Sequence, residues 1–261
     1  SYLLATSRGC TQGCAICCSG GLSPFQYFSA DRIVAELQKI RQLHSKEKQI
    51  DIFFVDSNFN NNPERIIELA DKISENGFGN SFRFFVRHNT LNGFLNPSNT
   101  EVKTPNMALI EAYQKLGIKE IMMGIDSYDN ASVTTLKSNR LQLNKKGIKL
   151  RPTYSYEEIA ATIKAMNKKN LYTRGFLLSN NPFVSDLDRI DSYYNLFFLW
   201  ANNPRFSIDA RTREVIQLKP FDGSPVGNAA KLFPSLVKYG RFHTESKLGE
   251  LDEHMAFLVF N

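Results

Sequence analysis

At 261 residues, with 42% apolar and 22% charged side chains, the chain has the length and composition of a globular protein with one substantial core. No apolar run reaches the roughly 18–20 residues that span a bilayer and no signal peptide opens the sequence, so the expectation is a cytoplasmic protein with no membrane partner, its thiols kept reduced. A net charge of +6 permits an acidic partner without demanding one, because the basic excess is spread over many solvated faces.

Strand-like apolar runs alternate with amphipathic helical stretches almost from end to end, the pattern of parallel β/α units. The first strand covers residues 2–5 and begins directly behind Ser1, which reads as a fragment or as a protein whose leading portion has been removed. It runs into Ser7, Arg8, Gly9 and then Cys10, Cys14 and Cys17, spaced C-x3-C-x2-C, with Ile16 before the third cysteine and Cys18 after it. A helix is predicted from Ala30 with Ser29 as N-cap, and Ile33, Val34, Leu37, Ile40 and Leu43 form one stripe. Ile50, Ile52, Phe53, Phe54 and Val55 read as a strand buried on both faces.

Asn62-Pro63 opens the next helix, with proline in the first turn. Phe82, Phe84, Phe85 and Val86 form the third strand. A helix starting at Thr104-Pro105 carries Leu109, Ile110, Tyr113 and Leu116 and ends at Gly117. Ile118, Ile121, Met122, Met123 and Ile125 make a fourth strand that stops at Asp126-Ser127. Lys137, Arg140, Lys145, Lys146, Lys149 and Arg151 then cluster, favouring a solvated loop over a docking surface.

Ser155 and Glu158 spell a capping box before a helix with Ile159, Ile163 and Met166. Phe176, Leu177 and Leu178 mark the fifth strand, residues 185–201 a helix and residues 215–218 the sixth strand. The expected class is α/β, a partial (β/α)6 TIM-like barrel over residues 1–226 with a short C-terminal extension over 227–261.

Three thiolates this close can hold three irons of a [4Fe–4S] cluster and leave the fourth without a protein ligand. Two disulfides within nine residues would force tight, strained loops. Structural zinc usually draws its ligands from two separated pairs, and no second pair follows downstream.

The cysteine spacing, with apolar Ile16 before the third ligand, resembles the cluster loop of the radical S-adenosylmethionine (SAM) enzymes. The resemblance implies that Cys10, Cys14 and Cys17 ligate the cluster, that the unligated iron chelates SAM, and that one electron cleaves the sulfonium to a 5′-deoxyadenosyl radical. Cys18 falls outside the triad. Reactive groups of parallel β/α folds gather at the C-terminal ends of the strands, and further stretches at such ends resemble family motifs.

Asp56, Ser57 and Asn58 open the Asp-x-Asn-Phe variant of the segment that contacts the SAM amino group, and the competing reading is a turn that caps the helix behind Asn62. Gly117 to Ser127 resembles the fourth-strand motif, so Asp126 and Ser127 are candidates for the ribose hydroxyls or for a helix cap. Leu178 and Ser179 would wall the adenine. Residues 218–225 resemble the Pro-x-x-Gly-Ser-Pro turn behind the sixth strand. Arg87 is a candidate for the SAM carboxylate or a structural ion pair, and His88 for proton transfer or plain packing.

The implied function is a radical SAM enzyme with a [4Fe–4S] cluster and SAM, abstracting hydrogen from a peptide or natural-product substrate in epimerisation or C-methylation. Its electron donor would resemble flavodoxin or ferredoxin. The Ser-Arg-Gly-Cys entry and the Asp-x-Asn-Phe turn are shared with cobalamin-dependent relatives, which leaves room for cobalamin in a portion outside this sequence. The alternatives are an RNA-modifying enzyme such as a methylthiotransferase, and a noncatalytic iron–sulfur module.

Overall fold

A computed structural model describes residues 1–11, 14, 17, 24–78, 81–88, 93–96, 103–126, 142–144, 147–149, 154–177, 186–209, 237–238 and 241–242. In chain order these form β1 (Tyr2–Leu4), β2 (Ser7–Arg8), β3 (Gln26–Tyr27), α1 (Ala30–Leu43), β4 (Ile50–Phe54), α2 (Pro63–Glu75), β5 (Phe82–His88), α3 (Met107–Leu116) and β6 (Ile118–Asp126). There follow β7 (Gln142–Asn144), β8 (Gly147–Lys149), α4 (Tyr156–Lys168), β9 (Thr173–Leu177), α5 (Asp186–Asn202), β10 (Phe206–Asp209), β11 (Val237–Lys238) and β12 (Arg241–Phe242).

Six strands make one sheet in the order β1-β4-β5-β6-β9-β10, every neighbouring pair parallel. Strand order therefore follows chain order, with helices in the connections, as expected of a partial (β/α)6 barrel. Three short antiparallel pairs stand outside this sheet: β2–β3, β7–β8 and β11–β12.

Local signals set most boundaries. Ser29 accepts a hydrogen bond from the Arg32 amide, Asn62 from the Arg65 amide ahead of Pro63, and Ser155 with Glu158 closes the reciprocal capping box. Gly117 ends α3 at φ +71°, a conformation that favours glycine. The stripe of α1 buries Ile33, Val34 and Leu37 against Ile66, Leu69, Ile52 and Phe54 in a single core.

Four expectations are corrected. First, α3 starts at Met107 with Asn106 as its cap, not at Thr104-Pro105, because Leu95 and Pro105 form an antiparallel bridge flanked by Asn96 N–H to Thr104 O (2.8 Å) and Asn106 N–H to Phe94 O (2.7 Å). Second, β4 alternates: Ile50, Ile52 and Phe54 are buried, while Phe53 is half-buried and stacks on Phe85 at 4.6 Å.

Third, β9 begins at Thr173, three residues ahead of the predicted start. Fourth, the sheet position beside β9 belongs to Phe206–Asp209, whose short alternation of buried Phe206 and Ile208 is a weak signal. Residues 203–205 suffice to turn the chain from α5 into β10, with Phe206 N–H bonded to Asn203 O at 2.8 Å. Residues 215–218, the 218–225 turn and most of the basic cluster lie outside the described residues.

Gly175 in β9 sits where backbone, side chain and ring converge. A Cβ there would lie 2.5 Å from Ile125 Cδ1 and 3.1 Å from Phe206 Cε2. Ile125 is fully buried at the register shift between Gly124 and Asp126, so it has little room to withdraw. Gly175→Ala should lower the unfolding free energy by about 1–3 kcal/mol through overpacking, read by urea denaturation; an unchanged midpoint would contradict this packing.

Candidate functional site

Because β1 and β4 pair in parallel with Leu4 opposite Phe54, the residues that follow each strand leave the sheet side by side. The Val55 amide donates to Leu4 O at 3.1 Å, and Asp56 then meets Thr6 and Ser7. Asp56 is only 3% exposed and Thr6 fully buried. Its Oδ1 accepts from Thr6 N–H (2.8 Å), from Ser7 Oγ (2.8 Å) and from Ser7 N–H, and its Oδ2 accepts from Thr6 Oγ1 (2.6 Å). A carboxylate is an acceptor only, so four donors at one corner suit it and no neutral side chain of that size.

Arg65, on the first turn of α2, approaches the same corner. It is 3% exposed and donates from Nη1 to Thr6 O (3.2 Å) and from Nη2 to Thr6 Oγ1 (3.1 Å). Its guanidinium lies 5.6 Å from the Tyr27 ring and 5.7 Å from the Phe59 ring. Burial pushes this guanidinium below its ordinary pKa, and the charge of Asp56 acts in the opposite sense. Thr6 is thus held between a buried anion and a buried cation.

From this corner the chain enters the cysteine loop. Ser7–Arg8 pairs antiparallel with Gln26–Tyr27, so residues 9–25 leave and return through one short ladder. Gly9 takes φ +84°, which permits the turn directly ahead of Cys10. Cys10 and Cys14 are buried and Cys17 is half-buried, and none of the three is in a disulfide. The Cys17 amide donates to Cys14 O at 3.1 Å, folding the second and third cysteines into one turn.

The segment behind β4 braces the loop from the other side. Asn58 and Asn60 are buried and Phe59 is fully enclosed, stacked on Phe54 at 4.8 Å. A Cβ on Gly93, which has φ +92°, would stand 2.5 Å from the Asn60 carbonyl oxygen. Asn61 Oδ1 receives Asn58 Nδ2 (2.9 Å) and Thr11 Oγ1 (3.1 Å), and the Cys10 thiol points at it from 3.9 Å. Asn62 caps α2, as the turn reading has it, and Asn61 in addition bonds the cysteine loop, a contact the sequence did not announce.

Tyr154, immediately ahead of the α4 capping box, is 1% exposed, and its hydroxyl has no hydrogen-bond partner among the described residues. Burial pushes its phenol far above the ordinary pKa, and the charge of Cys14 adds to that shift. The phenol therefore stays protonated.

Three sulfur donors on a turn fixed at both ends fit an iron–sulfur cluster, which takes thiolates and distributes them over different metal atoms. Among the described residues no three His, Cys, Asp or Glu side chains gather round a single ion. A cubane does not require such convergence.

Of the other predicted residues, Arg87, His88 and Asp126 stand at the C-terminal edge of the sheet. Arg87 and His88 close β5 in register with Met122 and Met123, and Asp126 closes β6 opposite Leu177. Ser57 follows Asp56 and is half-buried. Ser127, Leu178, Ser179 and Cys18 lie outside the described residues. Sequence reasoning missed Thr6, Asn61, Arg65 and Tyr154, of which only Asn61 carried a signal, as part of the asparagine run.

No family model matches the sequence, and no curated protein does. Solved structures do match in fold. The cobalamin-dependent S-adenosylmethionine radical enzyme OxsB superposes with TM-score 0.68 at 14% identity, over 98% of this chain and 40% of its own. The radical S-adenosylmethionine methyltransferase TsrM from Kitasatospora setae, with cobalamin and a [4Fe–4S] cluster bound, gives 0.66 at 15% identity over 90% and 40%. A spore photoproduct lyase mutant with dinucleoside spore photoproduct gives 0.55 at 11% over 98% and 72%.

The chain has the fold of the radical SAM enzymes. It spans 40% of the length of the OxsB and TsrM chains. Among the described residues no helix is long and apolar enough to cross a membrane.

Asp56→Asn would leave the buried Arg65 charge uncompensated and turn an amide N–H₂ toward donors. It should lower the unfolding free energy by about 3–5 kcal/mol, measured by denaturation of the metal-free chain; wild-type stability would contradict the corner as described.

Proposed function

We propose that this chain is the core of a radical SAM enzyme that acts on a peptide or small-molecule, natural-product-like substrate, by epimerisation or C-methylation. When bound, a [4Fe–4S] cluster supplies the electron that cleaves SAM to a 5′-deoxyadenosyl radical, which takes hydrogen from an unactivated carbon. The observation that supports this reading is the loop carrying Cys10, Cys14 and Cys17, tied through Asp56 to the C-terminal edge of a sheet with this fold.

In this reading Cys10, Cys14 and Cys17 hold three corners of the cluster. Asp56 spends its acceptor capacity on Thr6 and Ser7, so we assign it the positioning of the loop and leave the SAM ammonium to acceptors at Ser57 and Asn58. Arg87 offers a planar fork to the SAM carboxylate. Asp126 and Ser127 serve the ribose hydroxyls, and Leu178 and Ser179 form the adenine wall. His88, at the same edge, handles a proton of the substrate.

The fold likeness to OxsB and TsrM supports a cobalamin-dependent branch, with cobalamin held elsewhere in the whole protein. An electron donor of the flavodoxin or ferredoxin kind would serve the cluster, and a cytoplasmic setting suits its thiolates.

The anaerobically reconstituted chain should take up iron and sulfide and, with dithionite and SAM, release 5′-deoxyadenosine. Cys14→Ala should abolish both, whereas Cys18→Ser should keep the iron content. Turnover by the Cys14→Ala variant, or loss of iron on replacing Cys18, would overturn the ligand assignment.

A further inference from the structure

Helix α5 is apolar on two opposite sides. Leu196 and Leu199 are buried and join the core, as a helix lying on a sheet requires. The outward face should then be polar, yet Leu187, Ile190, Tyr194, Phe197, Phe198 and Trp200 stand between 38% and 74% exposed. The rings lie against one another: Tyr194 and Phe198 have centroids 4.6 Å apart, and Phe197 lies 5.8 Å from Phe198 and 6.0 Å from Trp200. Contiguous exposed apolar surface of this kind marks an interaction site, whereas single exposed apolar residues do not.

The spacing selects the kind of occupant. Leu187, Ile190, Tyr194, Phe197 and the exposed Ala201 follow one another at three, four, three and four residues, the repeat by which one helix seats its side chains between those of another. A helix lying on a membrane surface carries Lys or Arg along its polar margin. The sequence of α5 instead holds Asp186, Asp188 and Asp191 against the single Arg189, with no lysine.

Charge and area then select the partner. The three acidic positions fall in the first two turns of α5, and the exposed Arg205 follows its end. Two copies of α5 in parallel would set acid beside acid, whereas antiparallel copies set the acidic start of each beside the basic end of the other. A two-fold axis perpendicular to the helices generates that arrangement, with one patch used by both subunits. At roughly 150–250 Å² for a large side chain, the face exposes on the order of 600 Å². Two copies would bury about 1,200 Å², the area of a specific and stable interface.

We infer that α5 is a homodimer interface, in which two copies of this chain pair their α5 helices antiparallel about a two-fold axis at Tyr194. Ile190 then lies opposite the partner's Phe198, and Leu187 opposite the partner's Ala201. The strands that α5 connects, β9 and β10, lie at the other end of the sheet from β1, which leads into the cysteine loop. The inference therefore stands independently of the radical SAM reading.

Sedimentation velocity of the full metal-free chain over a dilution series tests it. Wild type should form a dimer that dissociates on dilution, and emission from Trp200, the one tryptophan of the chain, should move to longer wavelength as it does so. Tyr194→Glu and Ile190→Glu should each raise the dissociation constant at least about thirtyfold, as expected of a charge placed at the centre of an interface. Leu43→Glu, at a residue 79% exposed on α1, should leave the dimer intact.

All three variants should keep the far-ultraviolet circular dichroism of wild type, because all three side chains are exposed. Loss of that signal in Tyr194→Glu or Ile190→Glu would place the face in the core and overturn the inference. So would a dimer indifferent to both variants, or one that Leu43→Glu disrupts equally. A wild-type chain that stays monomeric, whether alone, bound to phosphatidylcholine vesicles or bound to a different protein, would also overturn it. Cluster uptake, read separately as iron and sulfide content, tests the radical SAM reading and is unaffected by any of these outcomes.

Discussion

The structure turns on one buried carboxylate. Asp56 gathers two amides and two hydroxyls from Thr6 and Ser7 into a corner from which water is excluded, and Arg65 closes the corner from behind. The four hydrogen bonds to the carboxylate offset its removal from water and tie Thr6 and Ser7 to it. Everything downstream inherits it: the direction in which the chain leaves β1, the β2–β3 ladder, and the place where Cys10 begins. Three cysteines on an unanchored loop would lose conformational entropy at the moment of binding a cluster; here the segment that leads into Cys10 is already fixed by the corner.

The parallel sheet supplies the second constraint. With strand order equal to chain order, the segments after β1, β4, β5, β6 and β9 all emerge at one edge, and residues far apart in sequence become neighbours. Close packing fixes the relative height of the strands. Gly175 admits Ile125 at the register shift of β6, and the enclosed stack of Phe59 on Phe54 pins the loop behind β4 to the core. The segment from Asp56 to Asn62 is therefore shared between scaffold and site: one face of it is core, and the other holds the cysteine loop.

Much of this was legible in the residues, and the division is physical. Caps are local chemistry, so Ser29, Asn62-Pro63, Ser155 with Glu158 and Gly117 announced their helix ends directly. The long apolar runs of β4, β5 and β6 announced strands. Features set by contacts distant in sequence were not legible. The bridge between Leu95 and Pro105 delays α3, and Phe206–Asp209 takes its place in the sheet by pairing with β9. Arg65 reads as an ordinary helix-surface arginine until Thr6 and Asp56 arrive beside it. Tyr154 carried no signal at all, since its burial without a hydrogen-bond partner among the described residues is set by contacts distant in sequence.

The central claim is that three cysteines, held at the sheet edge by the Asp56 corner, bind a cluster with one iron left to SAM. Mössbauer spectroscopy of ⁵⁷Fe-reconstituted chain, with and without SAM, tests it most directly. The account predicts that one iron of the cubane changes its parameters on addition of SAM while the other three keep theirs. Four irons indifferent to SAM, or a metal other than iron retained at Cys10, Cys14 and Cys17, would contradict it.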